Sequence, residues 1–127
     1  MTIKNTDFVD SKFFDFYSNI SYSTYLEEKR RLQVELINLQ HWVINNRKRV
    51  ALVFEGRDAA GKGSSIKRFT DYMMPKHFNI VELGIPTPKE SKNWFRRYEK
   101  HFPQEGEITF FDRSWYNRAL IEPTMGY

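Results

Sequence analysis

The chain has 127 residues, a length that suits one domain, and its 40% hydrophobic and 17% aromatic content is too apolar for an intrinsically disordered polymer. It has no cysteine, which excludes a disulfide framework and a Cys-ligated zinc site, and no apolar run approaches the ~20 residues of a membrane-spanning helix. Twenty Lys and Arg against 16 Asp and Glu leave a formal charge of +4, a mild bias toward anionic partners that is concentrated after residue 55.

The first sixteen residues, MTIKNTDFVDSKFFDF, contain acids and no continuous apolar segment, so they do not read as a secretory signal. A soluble, cytoplasmic protein is expected, with neither membrane nor nucleic acid as partner. Phe8, Phe13, Phe14, Phe16 and Tyr17 make residues 1–20 too aromatic for a free tail, and an arm packed on a neighbouring surface is expected. Such an arm suits a subunit contact, and a homo-oligomer is expected. From Thr24 to about Asn46 the period is helical, with Leu26, Leu32, Leu36, Leu39 and Val43 as the stripe and Ile37 and Ile44 widening it. Thr24 and Glu27 have capping-box spacing, and Arg47, Lys48 and Arg49 follow the far end, where the helix dipole favours cations.

The period then changes. Val50-Ala51-Leu52-Val53-Phe54 is a continuous apolar run, the pattern of a strand covered on both faces. A helix is predicted from about Ser64 to Met74, stopped by Pro75, and a second strand from Asn79 to Leu83. Thr87-Pro88-Lys89-Glu90 marks a capped helix running to about His101, and Glu107 to Phe111 reads as a third strand. Helix and strand alternate, which predicts an α/β domain with a parallel sheet. Residues 1–48 are read as the arm and long helix packed on the core, and 49–127 as the core itself. Three strands are few for such a domain, so further strands are expected outside the sequence, which reads as a fragment.

Gly56-Arg57-Asp58-Ala59-Ala60-Gly61-Lys62-Gly63-Ser64 has the G-x-x-x-x-G-K spacing and lies between a predicted strand and a predicted helix. In that setting a glycine-rich turn points successive N–H groups at an anion, and Lys62 and the helix N-terminus add positive charge. The hydroxyl residue usual after the lysine, which binds Mg²⁺, is replaced by Gly63, with Ser64 one place later. Asp58 is a candidate for the missing oxygen ligand, or alternatively a cap on the turn. Asp112 ends the third predicted strand at the carboxyl edge of the sheet, where ligands bind in open α/β folds, and reads as a Walker-B carboxylate for Mg²⁺ or as a helix cap. Arg113 and Arg118 have the donor forks that clamp phosphates, and Asn117 is placed to fix such a group. His41, His77 and His101 lack ligand spacing. Trp42, Trp94 and Trp115 are read as core, and Arg96, Arg97 and Lys100 as a solvated helix face or a basic groove.

The glycine-rich loop, then Trp94-Phe95-Arg96-Arg97-Tyr98 with His101-Phe102-Pro103, then Phe111-Asp112-Arg113-Ser114-Trp115-Tyr116-Asn117-Arg118 and Glu122-Pro123-Thr124-Met125-Gly126, resemble the family-2 polyphosphate kinases. The resemblance covers most of residues 48–127, and Gly63 belongs to its pattern. It implies a P-loop kinase-like three-layer fold with a helical lid, placed beyond Tyr127. It also implies Mg²⁺-dependent phosphoryl transfer between inorganic polyphosphate and a nucleoside di- or monophosphate (ADP, GDP, AMP or GMP). Asp58, Lys62, Asp112, Arg113, Asn117 and Arg118 are the catalytic candidates it implies. Gly56, Arg57, Ala59, Ala60, Gly61, Lys62, Gly63 and Ser64 are the phosphate-binding set, and Asp58 and Asp112 the metal ligands. Two rival readings are an ATP-dependent nucleoside monophosphate kinase and a non-catalytic module that binds nucleotide or polyanion.

Overall fold

The computed structural model describes residues 20–117, 119 and 126. The aromatic arm before Ile20, Arg118, and Glu122 to Met125 lie outside the described residues. The elements are α1 (Tyr22–Asn45), β1 (Arg49–Phe54), α2 (Lys62–Thr70), β2 (Phe78–Val81), α3 (Pro88–Lys92), α4 (Trp94–Glu99) and β3 (Glu107–Asp112), with a 3₁₀ turn at Pro75–His77. The chain divides into two compact units, residues 1–32 and residues 33–127.

In the first unit α1 begins two residues before the sequence predicts. Ser21 caps it, its Oγ accepting from the Thr24 N–H at 3.2 Å. Thr24 thereby lies inside the first turn, and the expected Thr24–Glu27 box does not cap the helix. An earlier hydroxyl captured the open N–H group first.

The second unit is a parallel sheet in the order β1-β3-β2. The central strand β3 alternates its side chains, as a strand must. Ile108 and Phe110 face Val43 of α1 and Ile66 of α2, joined by Leu52, Phe54, Phe69 and Phe78. Phe111 faces Tyr98 of α4, joined by Val53, Leu83, Phe102 and Trp115. Helices therefore cover both faces, giving three layers. The strand β1 pairs with β3 alone among the described residues, and Ala51 is exposed, so its apolar run is only half buried.

The α1 stripe differs from the sequence reading. Leu26, Leu32 and Leu39 are more than a third exposed, Trp42 is half exposed, and the buried positions are Gln33, Gln40 and Val43. Both glutamines have backbone partners that hydropathy cannot register. Gln33 Nε2 donates to Arg68 O at 2.9 Å. Gln40 Nε2 donates to Met74 O at 3.0 Å, and its Oε1 accepts from Met74 N at 2.8 Å. The amide thus matches both polar groups of one peptide position at the end of the α2 turn. The helix ends on Arg47 in the left-handed region (φ 51°). Lys48 N donates back to Val43 O at 2.9 Å, which satisfies a terminal carbonyl.

The helix expected from Thr87 to His101 is two short ones, because Asn93 (φ −125°, ψ 45°) breaks it. Its predicted start is observed, with both halves of the Thr87–Glu90 capping box formed. The backbone N–H and hydroxyl of Thr87 hold Glu90 below the usual carboxylate range. The box is therefore complete above that range and is lost as pH falls through the lowered value. Among the described residues no helix is long and apolar enough to cross a membrane.

Removing the Gln40 amide strands a buried donor and acceptor at Met74. Gln40→Leu should lower stability by at least about 2 kcal/mol, read as a fall in the urea midpoint, although the substitution is more hydrophobic.

Candidate active site

The parallel register of β1 and β3 pairs Phe54 with Asp112. The two strands therefore end together at one edge of the sheet. Beyond the last pair, Arg113 N donates to Phe54 O at 2.9 Å. Glu55 then accepts from Ser114 N at 2.8 Å and from Ser114 Oγ at 2.5 Å. Ser114 is fully buried, so this tie fastens the exits of both strands to each other. The sequence reading did not single out Glu55, which follows an apolar run as any loop acid would.

From Glu55 the chain turns through the glycine-rich loop into α2. Gly61 adopts φ 93° at the helix start, a left-handed conformation that costs a glycine little. Ala59 (φ 61°) and Arg113 (φ 64°) adopt it too, although L side chains disfavour it. Backbone strain of about 1–3 kcal/mol per residue is characteristic of sites whose surroundings over-determine them. The loop folds its lysine back on itself: Lys62 Nζ donates to Gly56 O at 3.0 Å and Arg57 O at 2.9 Å. Ser64 Oγ donates to Gly61 O at 3.1 Å, so this hydroxyl is turned into the loop. Gly63 takes the position beside the strand acid, where an added Cβ would lie 3.6 Å from Asp112 Oδ2. Its missing side chain keeps the gap in front of that carboxylate open.

Asp58, Ala59, Gly61, Lys62, Gly63, Asp112 and Arg113 line one cavity of about 290 Å³, together with Glu82. Lys62 and the strand acid thus share a space, as the sequence predicts. Asp58 and Arg113 form an ion pair across it. Gly56, Arg57, Ala60 and Ser64 do not line the cavity, and Gly56 and Arg57 contribute carbonyls to Lys62 instead. A second cavity, of about 660 Å³, shares Asp58, Glu82 and Arg113 with the first and extends past Gly84, Pro86, Trp94, Arg97 and Asn117.

Glu82 borders both cavities and was missed by sequence reasoning. The rule that located Asp112, an acid where a parallel strand ends, applies to it as well. The second strand was predicted to reach Leu83, which hid Glu82 inside it; β2 ends at Val81. Trp94 lines the larger cavity, and the Arg97 side chain is only 13% exposed, so it is not a solvated cation. The carboxylates of Asp58, Glu82 and Asp112 are the hard oxygen donors of the site. Among the described residues no group of three or more acids or histidines is placed to hold a metal unaided.

A family model described as polyphosphate kinase 2 matches residues 19–127. The chain is 47% identical over 115 residues to "Polyphosphate kinase PPK2B" of Corynebacterium glutamicum, covering 90% of this chain and 38% of that protein. It is 52% identical over 104 residues to a "GDP-polyphosphate phosphotransferase" of Mycolicibacterium smegmatis, covering 81% and 37%. The crystal structure of polyphosphate kinase 2 from Arthrobacter aurescens superposes with a TM-score of 0.73 at 25% identity, over 82% of this chain and 39% of that one. The chain thus spans less than two fifths of the length of these curated relatives. With a match that takes in both the glycine-rich loop and the Asp112–Asn117 segment, this chain belongs to the polyphosphate kinase 2 family.

Proposed function

We propose that this chain supplies the catalytic core of a phosphotransferase acting between inorganic polyphosphate and a nucleoside di- or monophosphate, with Mg²⁺. The observation that carries this reading is the convergence of Lys62, Asp58, Asp112 and Arg113 on one cavity at the strand ends. Family membership supports it, as does the relative named for GDP and polyphosphate. The smaller cavity takes the phosphates that exchange, and the larger one takes the acceptor nucleotide.

The chemistry asks for positioning and charge compensation more than for proton transfer. Phosphoryl transfer passes through a loose transition state with charge spread on the equatorial oxygens. The attacking atom is a terminal phosphate oxygen, already largely ionised near neutral pH because its second pKa is about 6. No general base is required, and Asp58 acts in orientation and metal binding. Two polyanions must meet end to end, and cations have to offset their repulsion. Lys62 exchanges its two loop carbonyls for phosphate oxygens. Arg113 gives up Asp58 to clamp phosphate through its planar fork. Asn117 orients the transferring group, and Arg118 is the second clamp.

The donor set fits Mg²⁺, which is held by one or two carboxylates, water and substrate phosphates rather than by an all-protein cage. Asp112 and Asp58 would hold it. Held there, it would supply positive charge to offset the charge that develops on the phosphate oxygens.

Assayed as the full-length protein with polyphosphate, Mg²⁺ and a panel of ADP, GDP, AMP and GMP, the enzyme should phosphorylate at least one acceptor. Turnover with ATP as donor and none with polyphosphate would make it an ordinary nucleotide kinase. Salt-sensitive polyanion binding with no transfer would make it a binding module. Lys62→Ala and Asp58→Asn should each lower the rate at least ~10²-fold, as lost preorganised contacts do. Near-native turnover in both variants rejects these roles. Gly63→Val places a branched side chain in the gap before Asp112, and turnover should fall about tenfold or more while the thermal midpoint holds.

A further inference from the structure

The larger cavity is rimmed by Gly84, Ile85 and Pro86, part of a segment, residues 84–87, that carries little internal support. Ile85 is 97% exposed. Pro86 has no N–H to donate and restricts Ile85 to extended backbone. Among the described residues, the hydrogen bond that residues 84–86 make to the rest of the chain is the one from Arg97 Nη2 to Gly84 O, at 2.8 Å. The other end of the rim is held differently. Thr87 N and Thr87 Oγ1 both donate to Glu90 Oε2 at 2.8 Å. The second oxygen of that carboxylate, Oε1, lies 3.7 Å from Arg97 Nε.

One guanidinium therefore joins both ends of the rim: directly at Gly84, and at Thr87 through Glu90. We propose that Arg97 is a positioning residue that braces the 84–87 rim and thereby fixes the mouth of the cavity that takes the acceptor nucleotide. The assignment of that cavity rests on the proposed function; the brace itself does not. Three observations separate bracing from a solvated charge. The side chain is nearly buried. Its partners among the described residues are the Gly84 carbonyl and the Glu90 carboxylate rather than open space. Glu90, which completes the link, is held below the usual carboxylate range by the Thr87 backbone N–H and hydroxyl, with Arg97 and Lys100 adding to the effect, so it stays charged at neutral pH. A planar fork holds its nitrogens in fixed directions, one toward Gly84 O and one toward the Glu90 carboxylate, which a flexible ammonium stem does not preorganise.

Two readouts on the full-length protein test this. In Arg97→Ala and Arg97→Lys, amide hydrogen exchange at Thr87, whose N–H donates to Glu90, should accelerate by about tenfold, the size expected when a hydrogen bond to a charged group is weakened. The KM for the acceptor nucleotide should rise by a similar factor, while the KM for polyphosphate stays within about twofold. Glu90 does not line the cavity, so an effect of Glu90→Ala on acceptor KM is expected from a brace and not from substrate contact. Unchanged Thr87 exchange in Arg97→Lys, or an unchanged acceptor KM in Glu90→Ala, overturns the brace, and so does a rise in both KM values together. If Arg97→Ala fails to fold, the other two variants decide. If the wild-type protein transfers no phosphate, the function proposed above fails, and the exchange measurement still decides the brace.

Discussion

Parallel pairing of β1 with β3 is the constraint on which the site depends. With Phe54 opposite Asp112, the loop leaving one strand and the acid ending the other emerge side by side. A slip of one residue would move Asp112 by about 3.3 Å and turn every β3 side chain to the opposite face. Phe110 and Phe111, both fully buried on opposite faces, resist that slip from both sides. The tie between Glu55 and Ser114 then fixes the two exits beyond the last ladder bond. Burial thus sets the register, and the register sets the chemistry.

The charges at this edge are already engaged with one another. Lys62 is directed at loop carbonyls and Arg113 at Asp58. In the proposed function an incoming phosphate competes for these cations rather than meeting them unpaired. This lowers the cost of gathering like charges at one edge when no anion is bound. It also makes the loop's shape self-supporting, since the lysine stem packs beside Gly56 and the ammonium bridges its turn.

Legibility followed the range of the interactions. The glycine-rich loop, the Thr87–Glu90 box and the acid at the end of β3 are local patterns with local causes, and each is visible in the sequence. Membership of one cavity was also foreseeable, because parallel strands in adjacent positions bring their carboxyl ends together. What escaped depends on partners distant in sequence. Leu32 and Leu39 look like core, whereas Gln33 and Gln40 are the buried positions, because only the fold supplies Arg68 O and Met74 O. Glu82 was hidden by a strand end misplaced by two residues. Arg97 could be read only as a solvated face or a basic groove, because its acceptor, Gly84 O, lies thirteen positions away across a helix break at Asn93.

The Gln40 amide has one more implication. A helix resting on a sheet through aliphatic contacts alone has no directional bond to oppose creep along it, only close packing. A two-point amide dock tolerates no such creep. Inserting one residue between Gln40 and Asn45 would rotate Gln40 by about 100° relative to the segment that enters β1. The far half of α1 thus behaves as an indexed spacer, and its length is expected to be held fixed even where its exposed side chains are free to change.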